Sequence, residues 1–217
     1  MYCSGANAEG QVGNASVVQQ GLAIAVMNNV ASFSLGSSTS CAIDTSRKLS
    51  CWGRNVYKTI DQTTTIKTIP TAVDGGSDVV SVSVGADHVC AAFGIGVAKC
   101  WGLNNVGQIG NGMTNGTTAQ PMYTLSIPNV VEVAANRNHS CVRTNAGDVF
   151  CFGEGYTATP TIMVTGAVKL AAGGSHDCAL LGDGSIRCWG DQTYGQLGNN
   201  VDISARSTTP QTAALCR

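Results

Sequence analysis

Apolar residues recur at every second position over short stretches of this chain, and turn-forming residues separate these stretches. The clearest stretches precede Cys41, Cys90, Cys141 and Cys178, where the positions eight and ten residues earlier are always apolar. These positions are Phe33 and Ala31, Val82 and Val80, Val133 and Val131, and Leu170 and Val168. A period of two indicates a strand with one buried face, whereas a helix repeats every 3.6 residues. The pattern therefore predicts short strands.

Four segments begin and end with cysteine, at 41–51, 90–100, 141–151 and 178–188. Glycine, aspartate, asparagine or serine occupies the centre of each segment, and short apolar arms flank the centre. Gly182-Asp183-Gly184 is one such centre. Turn residues between two apolar arms predict a β-hairpin in every segment.

The cysteines of each segment lie about equally far from the turn, so they face each other across the hairpin. Opposed residues in antiparallel strands have Cα atoms ~4.5–5.5 Å apart, a distance that a disulfide spans. We therefore expect four disulfides: Cys41–Cys51, Cys90–Cys100, Cys141–Cys151 and Cys178–Cys188. Reduced cysteines packed as small apolar groups, or an unusual metal site, are the alternatives. Disulfides indicate an extracellular, periplasmic or cell-surface location.

The hairpins belong to an internal repeat of about 50 residues. An aromatic residue and glycine follow each second cysteine, at Trp52-Gly53, Trp101-Gly102, Phe152-Gly153 and Trp189-Gly190. The sequence Gly-Gln-x-Gly-Asn follows at 10–14, 107–111 and 195–199, but the intervals after Trp52 and Phe152 lack it. A repeat of this length with several short strands predicts a blade of a β-propeller.

The combination Gly-x-x-His-x-Cys-Ala, a turn, Cys-Trp-Gly and Gly-Gln-Leu-Gly-Asn, clearest at 173–199, resembles the regulator of chromosome condensation repeat. The paired cysteines resemble those of disulfide-containing bacterial or extracellular members. The resemblance implies an all-β propeller, commonly of seven four-stranded blades around a channel. Four hairpins and half-repeats at both termini predict about four to five blades in a single domain over residues 1–217. A closed small ring and a fragment of a seven-bladed propeller both remain open.

Cys3 and Cys216 stand outside the four pairs. Cys3 occupies the second-cysteine position of a hairpin whose first half does not precede it. If residues 212–216 form a strand beside residues 2–4, a Cys3–Cys216 disulfide would seal a five-bladed ring. An open fragment with exposed sheet edges is the alternative.

Charge and composition exclude several classes of protein. Twelve basic and thirteen acidic residues give a net charge of −1, whereas binding to phosphate backbones requires a clearly basic surface. No stretch approaches the ~20 apolar residues of a membrane-spanning helix. We therefore predict no nucleic-acid partner and no membrane insertion.

The candidate chemical groups follow the repeat. His88, His139 and His176 each lie two residues before a first cysteine, and we interpret them as structural groups serving their own blades; a metal or catalytic role is the alternative. Asp44, Asp148 and Asp183 lie in hairpin turns, and Glu132 is expected to point outward from a strand. No two carboxylates form a glycosidase-like pair. We predict no catalytic residue, metal or cofactor.

These observations predict a non-enzymatic propeller scaffold that binds another protein or a surface glycan through loops on one rim. The most divergent loops, at 54–68, 111–120 and 200–209, are the candidates for contact. One alternative is a lectin-like or enzymatic site in the central channel. Another is a structural repeat segment of a larger surface protein.

Overall fold

The computed structural model describes residues 1–199 and 206–214. These residues form eighteen strands in five antiparallel sheets, and none of them lies in a helix that could cross a membrane. The all-β fold predicted from the two-residue period is thus confirmed.

The first sheet has two strands and each of the other four has four. The two-stranded sheet contains β1 (Tyr2–Gly5) and β2 (Gln20–Ala25). Blade one contains β3 (Val30–Leu35), β4 (Thr39–Asp44), β5 (Leu49–Gly53) and β6 (Lys67–Ala72). Blade two contains β7 (Val79–Val84), β8 (His88–Phe93), β9 (Ala98–Leu103) and β10 (Thr117–Thr124). Blade three contains β11 (Val130–Ala135), β12 (His139–Thr144), β13 (Val149–Gly153) and β14 (Thr161–Val164). Blade four contains β15 (Ala167–Ala172), β16 (His176–Leu181), β17 (Ile186–Gly190) and β18 (Ser207–Thr212).

Each blade carries one disulfide between its second and third strands. Cys41 lies directly opposite Cys51, and the same register recurs in the other three blades. The four predicted pairs are bonded, with a Cα–Cα distance of 4.1 Å in each. The spacing of ten residues therefore reflects a hairpin whose turn places both cysteines at one level of the sheet.

The inner strand of each blade starts with the same local irregularity. A residue in the left-handed region precedes the strand, and the pairing register shifts after its first residue. The residues with positive φ are Asn29, Asp78, Asn129 and Gly166. Asparagine, aspartate and glycine tolerate this conformation better than other residues. The bulge turns the following side chains toward the neighbouring blade.

The hydrophobic core lies between blades. One cluster joins Leu49 of blade one to Phe93 of blade two, and two further clusters join blades two to three and three to four. Serines also connect the inner strands: the Ser83 hydroxyl accepts a hydrogen bond from Ala135 N at 2.8 Å, and Ser34 accepts one from Val84 N at 3.0 Å. Adjacent blades are therefore held by apolar packing and by hydrogen bonds.

The C-terminal strand differs from the prediction. Thr212 belongs to β18, the outer strand of blade four, where it lies opposite Arg187 rather than beside residues 2–4. The described C-terminal residues thus complete a blade instead of opening another half-repeat. Cys216 lies outside the described residues, and Cys3 forms no disulfide within them.

Candidate binding rim

Two kinds of connection between strands lie at the same end of every complete blade, and we call this end the rim. The turn between the first and second strands meets the loop that follows the third strand. A backbone hydrogen bond of 2.8–3.0 Å joins them in each blade, from Arg54, Leu103, Glu154 and Asp191 to Ser38, Asp87, Asn138 and Ser175. The rim is therefore built in the same way in all four blades.

This contact explains the glycine that follows each tryptophan. Gly53 has a φ of +103°, and a Cβ atom there would lie 2.2 Å from the Ser38 carbonyl oxygen. The equivalent glycines of the other blades also have positive φ and lie against the equivalent turn. Only glycine adopts this conformation without strain at so close an approach.

A buried asparagine organises the loop between β1 and β2 and the corresponding loops after the third strands of blades one and two. Asn7, Asn55 and Asn104 each lie four residues after a second-cysteine position. Their side-chain oxygens accept hydrogen bonds from the amides of Val12, Ile60 and Ile109. Their amide groups donate to carbonyl oxygens farther along the loop. The repeat pattern alone did not lead us to predict a role for these asparagines, although their fixed distance from the cysteine is a usable signal.

The loop after Trp52 keeps the shape of the Gly-Gln-x-Gly loops without their sequence. Lys58 has a φ of 57°, at the position where Gly107 has 85° in blade two. Ile60 is buried, as Ile109 is. The motif is therefore missing from the sequence of blade one, but its fold is present.

The predicted contact loops lie on the rim, with one part outside the described residues. Residues 54–66 and 104–116 connect third to fourth strands, while 117–120 belong to β10. Of the loop 200–209, residues 200–205 lie outside the described residues, and Ser207 onward is in β18.

Aromatic and arginine side chains lie on the rim, both within these predicted loops and beside them. The Arg54 guanidinium lies 5.5 Å from the ring centroid of Tyr57, and that of Arg206 lies 5.3 Å from the ring centroid of Tyr156. Tyr194 is 89% exposed in the loop of blade four. These are side chains that commonly supply the binding energy of protein interfaces.

The rim loops also receive hydrogen bonds from the next blade. Trp52 Nε1 donates to the Gln11 carbonyl at 2.9 Å, and Trp101 Nε1 donates to the Thr59 carbonyl at 2.8 Å. Trp189 Nε1 is buried with no acceptor among the described residues, because blade three has a short loop that lacks the equivalent residue. The loops that contain Gln11 and Thr59 are thus part of the contact between blades.

His88 and His139 also connect blades, contrary to the prediction that each repeat histidine serves its own blade. His88 Nε2 lies 2.8 Å from Ser140 Oγ, and His139 Nε2 lies 2.7 Å from Asp177 Oδ2. Both partners belong to the following blade. Burial, with a smaller effect of nearby His139, lowers the pKa of His88 to about 3, so its ring is neutral.

The environment of His139 is polar but does not fit a metal ion. Asp177 Oδ2 also accepts a hydrogen bond from the Tyr156 hydroxyl at 3.0 Å, and burial followed by the Asp177 charge raises the pKa of Tyr156. Cys141 Sγ lies near His139 and Asp177, but it is bonded to Cys151. A sulfur ligand to zinc must be a free thiolate. The cluster therefore holds blades three and four together.

The prediction for Glu132 was wrong. Its side chain is buried and accepts hydrogen bonds from Arg143 Nε at 2.7 Å and from Leu170 N at 3.2 Å, and it pairs with Lys169. The bulge between Val130 and Glu132 turns the side chain toward blade four. By contrast, Asp44 and Asp183 lie in turns, where they accept hydrogen bonds from Ser46 N and Ser185 N.

The ends of the four inner strands surround a cavity of about 430 Å³ near the centre of the molecule. Gly85 lies in its wall, and a Cβ there would meet the His88 ring at 2.3 Å. Arg137 is the charged residue among the described residues that line this cavity. The lining otherwise consists of apolar side chains, turn residues and Asn136.

Comparison with known proteins identifies the repeat. The sequence profile of the regulator of chromosome condensation (RCC1) repeat matches residues 30–58, 79–108, 130–156 and 167–196, together more than half of the chain. The structure of human WBSCR16 is similar over 96% of this chain and 61% of that chain, with 18% identity and a TM-score of 0.83. Prp20p from Saccharomyces cerevisiae is similar over 94% of this chain and 55% of that chain, with 18% identity and a TM-score of 0.80. Yeast RCC1 (Prp20) in complex with Kap60 is similar over 94% of this chain and 54% of that chain, with 20% identity and a TM-score of 0.80.

The chain spans between 54% and 61% of the length of the WBSCR16 and Prp20 chains in these three structures. At this level of identity, the likeness shows the fold, a β-propeller. Together with the four profile matches, it shows that the chain belongs to the RCC1 repeat family.

Proposed function

We propose that this protein is a non-enzymatic scaffold that binds another protein through the rim loops at 54–68, 111–120 and 200–209. One observation carries the proposal. The buried base of the loops is nearly constant, with a buried Val12, Ile60, Ile109 or Leu197, while the exposed residues above it differ in every repeat. A fixed base under variable tips is the usual arrangement of binding loops on a rigid fold.

The chemistry of the rim favours a protein as the partner. Tyr194 is almost fully exposed in the rim loop of blade four, just before residues 200–209. Met113 and Val56 are exposed on the loops at 111–120 and 54–68, and the Arg54 guanidinium lies near the Tyr57 ring. Tyrosine, methionine and arginine are enriched in protein interfaces. The many threonine and asparagine residues of these loops also suit a surface glycan, which the experiment below separates from a protein.

Two further points support the proposal. The published structures of Prp20p describe its binding to Gsp1p and histones and its complex with Kap60, so propellers of this fold do bind proteins. The four disulfides favour an oxidising compartment, and we propose an extracellular, periplasmic or cell-surface location. We also propose that residues 1–217 act as one domain, because the core clusters run continuously from blade to blade.

The test compares two ends of the molecule. Purified protein carrying Tyr57→Ser and Tyr194→Ser is compared with wild type and with Ile95→Ser in cross-linking to surface proteins of the source cells and in binding to a glycan array. Ile95 is a matched control because it is 78% exposed in a hairpin turn at the opposite end of blade two.

We expect one protein to cross-link to wild type and to Ile95→Ser, and its recovery with the rim variant to be lower by a factor of about 10 or more. Tyrosines at binding hot spots contribute ~2 kcal/mol each. Equal recovery by all three proteins would contradict a role for the rim. Binding to glycans alone would contradict a protein partner.

A further inference from the structure

Among the described residues, strand β1 has a free edge beside Cys3, where every other blade has a strand that carries the partner cysteine. Within the described residues β1 pairs with β2 alone, and Cys3 lies opposite Ile24. The equivalent strand β5 is paired on both sides: Cys51 lies opposite Thr71 on one side and opposite Cys41 on the other. Cys3 therefore has the register of a second cysteine, with its partner position open.

An apolar groove continues from this edge. Phe33 and Leu35 on β3 are 58% and 59% exposed. Val133 and Leu170 occupy the position of Phe33 in blades three and four. Each of them is 5% exposed because it packs against the disulfide-bearing strands of the preceding blade. Phe33 and Leu35 are exposed because the sheet that precedes them has no first and second strands among the described residues.

The groove has a volume of about 530 Å³ and is lined by Cys3, Val12, Phe33, Leu35 and Ser40, among others. It is thus the interface that every other blade forms with its predecessor, with one side missing. The contacts that would fill it are known from this molecule: a second strand against the free edge, and a first strand against the side chains on β3.

The four hairpins of this chain that bear a first cysteine are already paired within their own blades. In the sequence, Cys216 comes too soon after β18 to match the spacing of a fifth first cysteine. In each blade, one residue of the fourth strand lies opposite the second cysteine. The first cysteine of the next blade follows that residue by seventeen to nineteen positions, as Cys178 follows Thr161. Counting from Gln211, which lies opposite Cys188, that position falls at 228–230. No hairpin of this type among the described residues is therefore free to fill the groove.

We propose that the groove accepts the first hairpin of a further repeat of the same type, whose second strand pairs with β1 and whose cysteine forms a disulfide with Cys3. The bond forms by thiol–disulfide exchange. The Cys3 thiolate attacks the sulfur of a mixed disulfide on the incoming cysteine, the old S–S bond breaks, and its other thiol leaves. This inference is independent of the rim, since it concerns another surface.

The experiment uses the folded protein with Cys216→Ser and a peptide of residues 167–182, which is the first hairpin of blade four. Cys178 of the peptide is activated as a mixed disulfide with 2-thiopyridine, so that release of thiopyridone reports the reaction. A scrambled peptide with the cysteine at the same position measures unguided exchange. Intact mass identifies the adduct, and Cys3→Ser must abolish it.

We expect the hairpin peptide to react with Cys3 about tenfold faster than the scrambled peptide, and amide hydrogens of residues 2–5 to become protected from exchange in the adduct. Phe33→Asp should reduce the rate to that of the scrambled peptide, whereas Ile95→Asp should not. Thermal melts of both variants establish that they are folded. Because Phe33 is exposed, its replacement should leave the melting temperature nearly unchanged.

Three results would overturn the proposal. Equal rates for the two peptides would mean that the groove does not guide the hairpin. An adduct without protection of β1 would mean a tether without strand pairing. A Cys3–Cys216 bond in the untreated wild-type protein would mean that the chain fills the site itself.

Discussion

The imidazole of His88 in blade two lies 2.8 Å from the hydroxyl oxygen of Ser140 in blade three, and both side chains are fully buried. The Ser140 hydroxyl donates in turn to the carbonyl oxygen of Gln108 at 3.0 Å. The serine hydrogen is therefore committed to Gln108, and His88 Nε2 must be the donor to Ser140. One hydroxyl thus connects a strand of blade two, a strand of blade three and a rim loop.

Ser140→Ala should destabilise the protein more than Ser40→Ala. The first change leaves both His88 Nε2–H and the Gln108 carbonyl without a partner, at a cost of about 1–3 kcal/mol per buried group. Ser40 occupies the same position in blade one but makes one such contact, to the Gln11 carbonyl. Urea denaturation of both variants measures the difference, which we expect to be at least about 1 kcal/mol. Equal losses would show that the histidine contact adds nothing.

Stability should fall in mild acid because of His88. Burial, followed by the nearby His139, lowers its pKa to about 3, while the unfolded-state pKa is ~6.5. The folded state therefore resists protonation, so its advantage is complete above pH 6.5 and is lost as the pH falls toward 3. Between pH 6.5 and 5 the loss is on the order of 1–2 kcal/mol.

His88→Gln removes this titrating group. Denaturation curves for wild type and variant from pH 7 to 5 should converge as the pH falls, because the other ionisable groups are common to both. Parallel curves across that range would exclude His88 as a cause of acid sensitivity.

Trp101→Phe and Trp189→Phe should have different effects although both residues are fully buried beside a disulfide. Trp101 Nε1 donates to the Thr59 carbonyl, and its loss leaves that oxygen unpaired. Trp189 Nε1 has no acceptor among the described residues, so its removal relieves an unpaired donor. We expect Trp101→Phe to cost at least about 1 kcal/mol more than Trp189→Phe in thermal or urea denaturation. Phe152 shows that phenylalanine fits this position.

The strands and disulfides could be predicted from the sequence because their determinants are local. A period of two, a turn at the centre and a cysteine on each side define a hairpin within eleven residues. The contacts between blades could not be predicted in this way. His88 and Ser140 are 52 residues apart, and nothing in either segment identifies the other as its partner.

The rim was predicted only in part, for two physical reasons. A loop can keep its fold when its glycine is replaced, as Lys58 shows, so the missing motif after Trp52 concealed a common structure. A bulge can also reverse the direction of a side chain, as at Glu132, and alternation along a strand does not reveal where a bulge occurs.

Four blades, each closed by its own disulfide, make up most of this protein, and disulfide mapping can verify that arrangement. The native protein is digested without reduction, and the linked peptides are identified by mass spectrometry. The predicted result is four linkages, Cys41–Cys51, Cys90–Cys100, Cys141–Cys151 and Cys178–Cys188. A linkage between cysteines of different blades, or a free thiol at any of these eight positions, would contradict it.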